Sequence, residues 1–219
     1  MASNSHKPRR RKNKDESSLK SSSLGISSLD SSSSSNTPAF PLVAFLLPAK
    51  GAASQWVVLP MILMAVGLFR WATGIWGYSG FQTPPMHGDF EAQRHWMEIT
   101  THLPISQWYF HDLQWWGLDY PPLTAYHSWL LGKIGSIIEP SWFALHTSRA
   151  LDDLSLKVYM RATAIVSEYL CYTPGAVLFL RSYARLSGIP TWEYNIALTA
   201  FLLQPATILI DHGHFQYNT

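Results

Sequence analysis

The stretch from Trp56 to Trp76 leaves few options for how this chain folds. It holds twenty-one residues, of which only Arg70 is charged, and tryptophan stands at both ends. A helix needs about 20 apolar residues to cross the hydrocarbon core of a bilayer, and aromatic side chains anchor such helices at the interface. We therefore predict a transmembrane helix at 56–76, in an integral membrane protein rather than a water-soluble domain.

Two later stretches are also apolar. Tyr194–Ile210 contains no Asp, Glu, Lys or Arg, whereas Val158–Leu180 includes Arg161 and Glu168, seven residues apart. Ionisable side chains inside a membrane face protein or a water-filled cleft, and whether Arg161 and Glu168 pair with each other stays open. The sequence thus predicts an all-α protein with three transmembrane helices, at 56–76, 158–180 and 194–210.

The distribution of charge predicts how these helices are oriented. Residues 1–20 carry seven Lys or Arg and two acids, and the short loop 181–193 carries Arg181 and Arg185. Such positive charge marks the cytoplasmic side, so we place 77–157 and the start of a second loop at 211–219 on the opposite side. Residues 21–219 hold twelve acids and nine Lys or Arg, which excludes a nucleic-acid-binding surface on the body.

The N-terminal 55 residues have a different composition from the rest. Residues 1–38 contain a basic cluster and a run in which 17–35 hold twelve serines. Apolar burial cannot offset the ordering entropy of such a segment, so we predict a disordered cytoplasmic tail; a nuclear address or a nucleic-acid tail is the alternative. Residues 39–55 include an apolar stretch too short to span, and we predict an interfacial segment.

The loop 77–157 is too long to be a plain connector, and it holds six of the nine histidines and six of the ten tryptophans. A helical pattern runs from Asp89 to Leu103, with one apolar face. A second pattern follows Asp119, which we assign as its cap, and indicates an amphipathic helix along the membrane surface. A buried helix or a short span is the alternative for this second pattern.

The first helix separates two carboxylates. Glu91 falls with Arg94 and Glu98 on the polar face, which predicts solvated ion pairs at i+3 and i+4 spacing. Asp89 aligns with the apolar face at the start of the helix. Two interpretations of Asp89 stay open: an N-cap, or a reactive carboxylate at the edge of an apolar, membrane-facing cleft.

The segment 211–218 is dense in hydrogen-bonding side chains, including His212, His214 and Gln216. His-x-His can form a metal pair, but no third ligand has a recognisable spacing, and a single cysteine, Cys171, excludes a Cys-based zinc site. We therefore predict no metal and no cofactor. These side chains either bind a phosphate or sugar or act as interfacial caps.

Two strings of the long loop carry a specific resemblance: GDFEAQRHW at residues 88–96 and GLDYPPLTAYHS at 117–128. They closely resemble the first lumenal loop of the dolichyl-phosphate-glucose α-1,3-glucosyltransferases of the endoplasmic reticulum, in particular those that add the first glucose to the lipid-linked oligosaccharide. The resemblance covers about residues 56–219 and leaves out the tail.

The resemblance implies the GT-C glycosyltransferase fold and an inverting transfer without metal, in a multi-pass membrane protein whose active site faces the lumen. Asp89 matches the catalytic aspartate of the family, the general base on a mannose hydroxyl. The implied donor is dolichyl phosphate glucose, and the implied acceptor is the dolichyl-diphosphate oligosaccharide. We also predict that six residues bind substrate: Arg94, Asp119, Tyr120, His212, His214 and Gln216.

Members of this family run to several hundred residues, with later lumenal loops that we expect to hold the leaving phosphate. We therefore expect the 219-residue chain to be an N-terminal fragment, inactive alone. Two other functions stay open. One is a non-catalytic membrane protein that binds lipid-linked sugars, and the other is a metal-dependent hydrolase built on the histidines.

Overall fold

The computed structural model describes residues 41–46 and 55–218. The tail predicted at 1–38 lies outside these residues. So does most of the interfacial segment predicted at 39–55, of which only 41–46 and residue 55 are described. Within the described residues all regular secondary structure is helical, so the all-α prediction is confirmed for that part of the chain.

Over residues 41–46 and 55–218, eight α-helices follow one another: α1 Pro41–Leu46, α2 Gln55–Thr73, α3 Gly88–His102, α4 Pro122–Ile138, α5 Leu154–Leu170, α6 Tyr172–Ser187, α7 Thr191–Leu202 and the single turn α8 Pro205–Thr207. A π-helical segment, Ile208–His214, continues directly from α8. Short 3-10 turns occur at Ile105–Gln107 and Pro140–Phe143.

In the described part of the chain, two helical stretches are long and apolar enough to cross a membrane: Leu154–Ser187, made of α5 and α6, and Thr191–His214. The apolar part of α2, Val57–Thr73, is shorter. Helices therefore stand at all three predicted spans, with wider bounds at the second and third. The number of membrane crossings stays a prediction.

The bounds of Leu154–Ser187 follow from its two ends. Asp153 caps the start, because its carboxylate accepts a hydrogen bond from the backbone N–H of Ser155. Gly188 ends it with a φ of 64°, the left-handed conformation that glycine adopts without strain. Hydropathy alone misses both signals, which explains why the observed stretch is longer than the predicted 158–180.

Helix α2 has two distinct faces. Val58, Ile62 and Val66, four residues apart, are buried against α6 and α7. The other face exposes large apolar side chains; Met64 is 74% and Leu68 is 70% exposed. An apolar face of this length is suited to lipid rather than water, which agrees with the predicted span at 56–76.

Helices α3 and α4 form the framework of the long loop. Both were predicted, although α4 begins at Pro122 with Pro121 at its N-cap, so the assignment of Asp119 as cap is wrong. The small face of α4 packs on α3: a Cβ on Gly132 would lie 2.7 Å from the carbonyl oxygen of Met97. The apolar stripe of α4 faces outward, with Leu123 82% exposed, as a helix on a membrane surface requires.

The polar face of α3 is buried, which corrects the prediction of solvated ion pairs. Glu91, Arg94 and Glu98 are each 2% exposed or less. Arg94 Nη2 lies 2.6 Å from Glu91 Oε1 and 2.7 Å from Glu98 Oε2. The segment that follows α4 covers them: Arg94 donates to Ser148 Oγ, and the backbone N–H of His146 donates to Glu98. The covering segment is about 50 residues away in sequence. The periodicity of a single helix contains no information on contacts at that distance.

Gly132→Ala should lower the free energy of unfolding by roughly 1–3 kcal/mol, because the added methyl group must push α3 and α4 apart. Gly175→Ala in α6 is the matched control, since a Cβ there meets no atom within 4 Å. Helix propensity alone makes that control neutral or slightly stabilising. Thermal unfolding in detergent measures both. Equal unfolding temperatures would contradict the close packing.

Acid should weaken the buried cluster through Glu98. Burial alone raises the pKa of Glu98, but hydrogen bonds from His95 and the charge of Arg94 outweigh burial and lower the pKa to about 2. A carboxyl group with a depressed pKa stabilises the folded state above its unfolded pKa of about 4.5 and ceases to do so as the pH falls through 2.

We therefore expect the free energy of unfolding to fall between about pH 4.5 and pH 2, by on the order of 2–3 kcal/mol from this group. Unfolding at pH 6, 4 and 2.5 measures the loss. Glu98→Gln should remove this part of the pH dependence, whereas Glu139→Gln, at an exposed carboxylate, should keep it. The same acid dependence in both variants would contradict the assignment.

Candidate active site

Two glycines place Asp89 at the start of α3. Gly80 has a φ of 71° and Gly88 a φ of 59°, and a Cβ on Gly88 would lie 2.5 Å from the carbonyl oxygen of Ser79. Only glycine permits this approach, so the first turn of α3 rests directly on the preceding loop. His87 occupies the N-cap position. The interpretation of Asp89 as the N-cap is therefore wrong, and its carboxylate is available for other contacts.

The segment 214–218 lies against this first turn. The backbone N–H of Ser79 donates to the carbonyl oxygen of His214, at 3.2 Å. Phe215 has a φ of 78° and is fully buried, with its ring 4.7 Å from that of Tyr78 and 5.3 Å from that of Phe90. This aromatic anchor fixes the positions of the polar residues on either side of it.

Asp89 receives two contacts from those flanking residues. His214 Nε2 lies 2.6 Å from Asp89 Oδ2, and Gln216 Nε2 donates to the same oxygen at 2.7 Å. No described residue forms a hydrogen bond with Oδ1. The Asp89 side chain is 29% exposed and that of His214 is 47% exposed. One carboxylate oxygen is thus held by protein, and the other is left for an incoming group.

The contacts continue beyond Gln216 into a network. Gln216 Oε1 accepts a hydrogen bond from Asn218 Nδ2 at 2.7 Å. Asn218 also donates to Asp211 Oδ1, from its backbone N–H at 3.1 Å and from its amide at 3.3 Å. Asp211 and Asn218 were not among the predicted site residues. Their only sequence signal was the dense run of polar residues at 211–218.

Tyr120 belongs to the same surface. Its ring lies 5.0 Å from that of Trp96, and its carbonyl oxygen accepts a hydrogen bond from the Tyr109 hydroxyl. Burial, and then the negative charges of the surrounding aspartates, raise the pKa of the Tyr120 hydroxyl; these aspartates are Asp119, Asp89 and Asp211. Asp119 itself is exposed. The structure thus brings Asp89, Asp119, Tyr120, His214 and Gln216 into one acidic surface.

Arg94 and His212 lie behind this surface. Arg94 is fully buried among its carboxylate partners in α3. His212 is 2% exposed, and its Nε2 lies 2.9 Å from Glu168 Oε2. Both side chains contact protein groups rather than the open surface, and their predicted contacts with substrate stay predictions.

Glu168 joins three helical segments. Its Oε2 lies 2.7 Å from Arg70 Nε and 2.9 Å from His212 Nε2, and all three side chains are at least 98% buried. Arg70 Nη1 also donates to the carbonyl oxygen of Leu202. Glu168 therefore pairs with Arg70 and His212 and not with Arg161, whose guanidinium lies over the Trp71 ring at 3.9 Å.

The two histidines of His-x-His do not converge, because His212 contacts Glu168 and His214 contacts Asp89. In the described part of the chain, no group of three or more His, Cys, Asp or Glu side chains is arranged to hold a metal ion. The site is thus a carboxylate held by an imidazole and an amide, beside further oxygen-bearing side chains.

Comparisons with known proteins identify the family of the chain. The model of the ALG6, ALG8 glycosyltransferase family matches residues 56–219. A Saccharomyces cerevisiae protein named dolichyl pyrophosphate Man9GlcNAc2 alpha-1,3-glucosyltransferase is 51% identical over 183 residues, which are 83% of this chain and 34% of the relative. A Schizosaccharomyces pombe protein named as a probable enzyme of that kind is 49% identical, over 81% of this chain and 35% of the relative.

A Gallus gallus protein with the S. cerevisiae protein's name is 46% identical over 169 residues, which are 75% of this chain and 33% of the relative. The chain therefore spans about one third of the length of these relatives. The range 56–219 matched by the family model includes the residues of the site described above. The chain belongs to the ALG6, ALG8 glycosyltransferase family.

Proposed function

We propose that this chain provides the catalytic aspartate of an inverting glucosyltransferase with the GT-C fold. The enzyme transfers glucose from dolichyl phosphate glucose to a mannose of the dolichyl-diphosphate-linked oligosaccharide. Family membership and the names of the relatives support the reaction class and the acceptor. The observation that carries the proposal is the environment of the Asp89 carboxylate. Both protein contacts go to Oδ2, no described residue forms a hydrogen bond with Oδ1, and the side chain is partly exposed.

In this mechanism Asp89 is the general base. Oδ1 accepts the proton of the acceptor mannose hydroxyl while that oxygen attacks the anomeric carbon of glucose, on the face opposite the phosphate. The bond between the anomeric carbon and the phosphate oxygen breaks, and dolichyl phosphate leaves with the electron pair, so the configuration inverts. Gln216 and His214 fix Oδ2, which keeps Oδ1 within the short hydrogen-bonding range that general-base catalysis needs.

The neighbouring side chains suit a sugar. Carboxylates, amides, hydroxyls and imidazoles all exchange hydrogen bonds with sugar hydroxyls, and Asp119, Gln216, Tyr120 and His214 offer these four groups beside Asp89. We assign these four to substrate binding. Arg94 and His212 act through others: Arg94 holds α3 in place, and His212 holds the segment that carries His214. Both are positioning residues in this proposal.

The topology proposed from charge fits the direction of the helices. The first turns of α2 and of the stretch Thr191–His214 lie beside Arg181 and Arg185 on α6, and His214, at the end of that stretch, contacts Asp89. A cytoplasmic position for the two arginines therefore corresponds to an Asp89 on the lumenal face of the endoplasmic-reticulum membrane, where the sugar portions of both lipid-linked substrates would lie. The basic N-terminal tail is then also cytoplasmic.

Asp89→Asn should lower glucose transfer by about 10²- to 10⁴-fold, because the amide cannot accept the hydroxyl proton. Since the chain spans a third of its relatives, the assay uses a chimera in which residues 56–219 replace the matched region of the S. cerevisiae relative. Transfer from dolichyl phosphate glucose is measured in microsomes. Asp152→Asn, at an exposed carboxylate outside the site, is the control and should keep the rate.

An undiminished rate in the Asp89→Asn chimera would assign the base to another group. The same substrates offered to the 219-residue chain test the alternative functions. A non-catalytic protein that binds lipid-linked sugars would bind dolichyl phosphate glucose without transferring glucose, in both the chimera and the chain. Its binding would not change in the Asp89→Asn variant. Inhibition of transfer by chelators would favour a metal-dependent enzyme.

A further inference from the structure

A cavity of about 510 Å³ lies at the end of the helices opposite Asp89. It opens between the first turns of α2 and α7 and the last turns of α6. Helix α2 rises about 20 Å between Pro60, in the wall of the cavity, and Thr73 at its other end. The cavity is thus separate from the acidic surface and shares no residue with it.

The cavity holds positive charge that no carboxylate of the described residues neutralises. Arg181 and Arg185 lie one helical turn apart on α6 and both line it. Neither forms an ion pair with a carboxylate of the described residues. Their side chains are exposed, as expected of arginines that reach toward the headgroup layer of a bilayer. The cavity is therefore suited to an anion.

Polar side chains in the wall of the cavity lack hydrogen-bond partners among the described residues. Asn195 is 93% buried overall and lines the cavity, and its amide atoms are among the parts that remain accessible, without a hydrogen bond to a described residue. The Tyr194 hydroxyl is shielded from solvent and has no hydrogen-bond partner among those residues. Buried polar groups are normally hydrogen-bonded. A buried hydroxyl without a partner, next to the accessible Asn195 amide and two arginines without ion pairs, indicates a ligand with oxygen acceptors.

The start of α7 adds backbone donors. Pro190 is its N-cap, and the first hydrogen bond of the helix runs from the N–H of Tyr194 to the carbonyl of Pro190. The N–H groups before Tyr194 have no partner within the helix and favour an anion. Glu193, the acid of this turn, is exposed and does not line the cavity.

The remaining walls are apolar. Leu59, Pro60, Ala184 and Ile189 line the cavity beside the arginines. A free inorganic anion has no hydrocarbon to pack against these apolar side chains. An amphiphile can place its charged group on the arginines and its hydrocarbon on the apolar side chains. Basic pockets between membrane helices on the cytoplasmic side bind anionic lipid headgroups in this manner.

We propose that this cavity binds the headgroup of an anionic phospholipid of the cytoplasmic leaflet. The phosphate lies between Arg181 and Arg185, near the N-terminus of α7. The Asn195 amide and the Tyr194 hydroxyl donate to the glycerol and ester oxygens, and the first acyl carbons pass along Leu59 and Ile189. This lipid site is additional to the transferase function and uses none of its residues.

The test is native mass spectrometry of the purified 219-residue chain in a mild detergent. Phosphatidylserine and phosphatidylcholine with identical acyl chains are offered in equal amounts. The wild-type chain should retain phosphatidylserine in preference. The R181Q/R185Q double variant should lose about 30-fold in that preference, which corresponds to about 1 kcal/mol for each basic side chain. Lys133→Gln, an exposed cation at the far end, is the matched control and should retain it.

A second variant separates a cavity from a charged surface. Ile189→Trp keeps both arginines but fills the apolar part, so retention of phosphatidylserine should fall as well. An unchanged preference in Ile189→Trp, or in the double arginine variant, overturns the proposal. So does full displacement of the lipid by millimolar inorganic phosphate, which would indicate a simple anion site. Loss of lipid from the S. cerevisiae chimera would show that the rest of such a protein covers the cavity, and it also overturns the proposal.

Discussion

A carboxylate buried between helices is the interaction on which this arrangement depends. Glu168 has two cationic or hydrogen-bonding partners, Arg70 and His212, and none of the three groups reaches solvent. A charge in so apolar a setting is tolerated only when it is paired, and removal of one partner from such a pair costs about 3–5 kcal/mol. Because each of these three groups needs its partner, their contacts fix how α2, α5 and the segment after α8 lie against one another.

That dependence extends to the acidic surface. His212, which Glu168 holds, is two residues before His214, which contacts Asp89. Phe215 secures the same segment from the other side through its contacts with Tyr78 and Phe90. The positions of His214 and Gln216 are therefore set by two contacts. One is the charged contact between Glu168 and His212, and the other is the packing of Phe215 on Tyr78 and Phe90. Neither contact involves Asp89 itself.

The sequence predicted the helices well and their pairing poorly. Runs of apolar residues and the start of α3 are local properties, and they located the helices at the three predicted spans and the first turn of α3, although the observed helices extend up to seven residues further. Pairing joins distant positions: Arg70 and Glu168 are 98 residues apart, so no helical period relates them. For the same reason a helical period predicts a solvated polar face on α3, whereas the segment around Ser148 covers that face. At the site, His214 and Gln216 could be proposed from their polarity, but their shared contact with one oxygen of Asp89 could not.

The separation of the two halves of the site in sequence has a consequence for biosynthesis. Asp89 and Gln216 are 127 residues apart, and a ribosome adds residues at about 5–20 per second. The aspartate thus leaves the ribosome several seconds before the amide and imidazole that orient it. Until the last of the described helices is in place, the nascent chain exposes a carboxylate without its orienting partners, and so the order of translation itself delays assembly of the site.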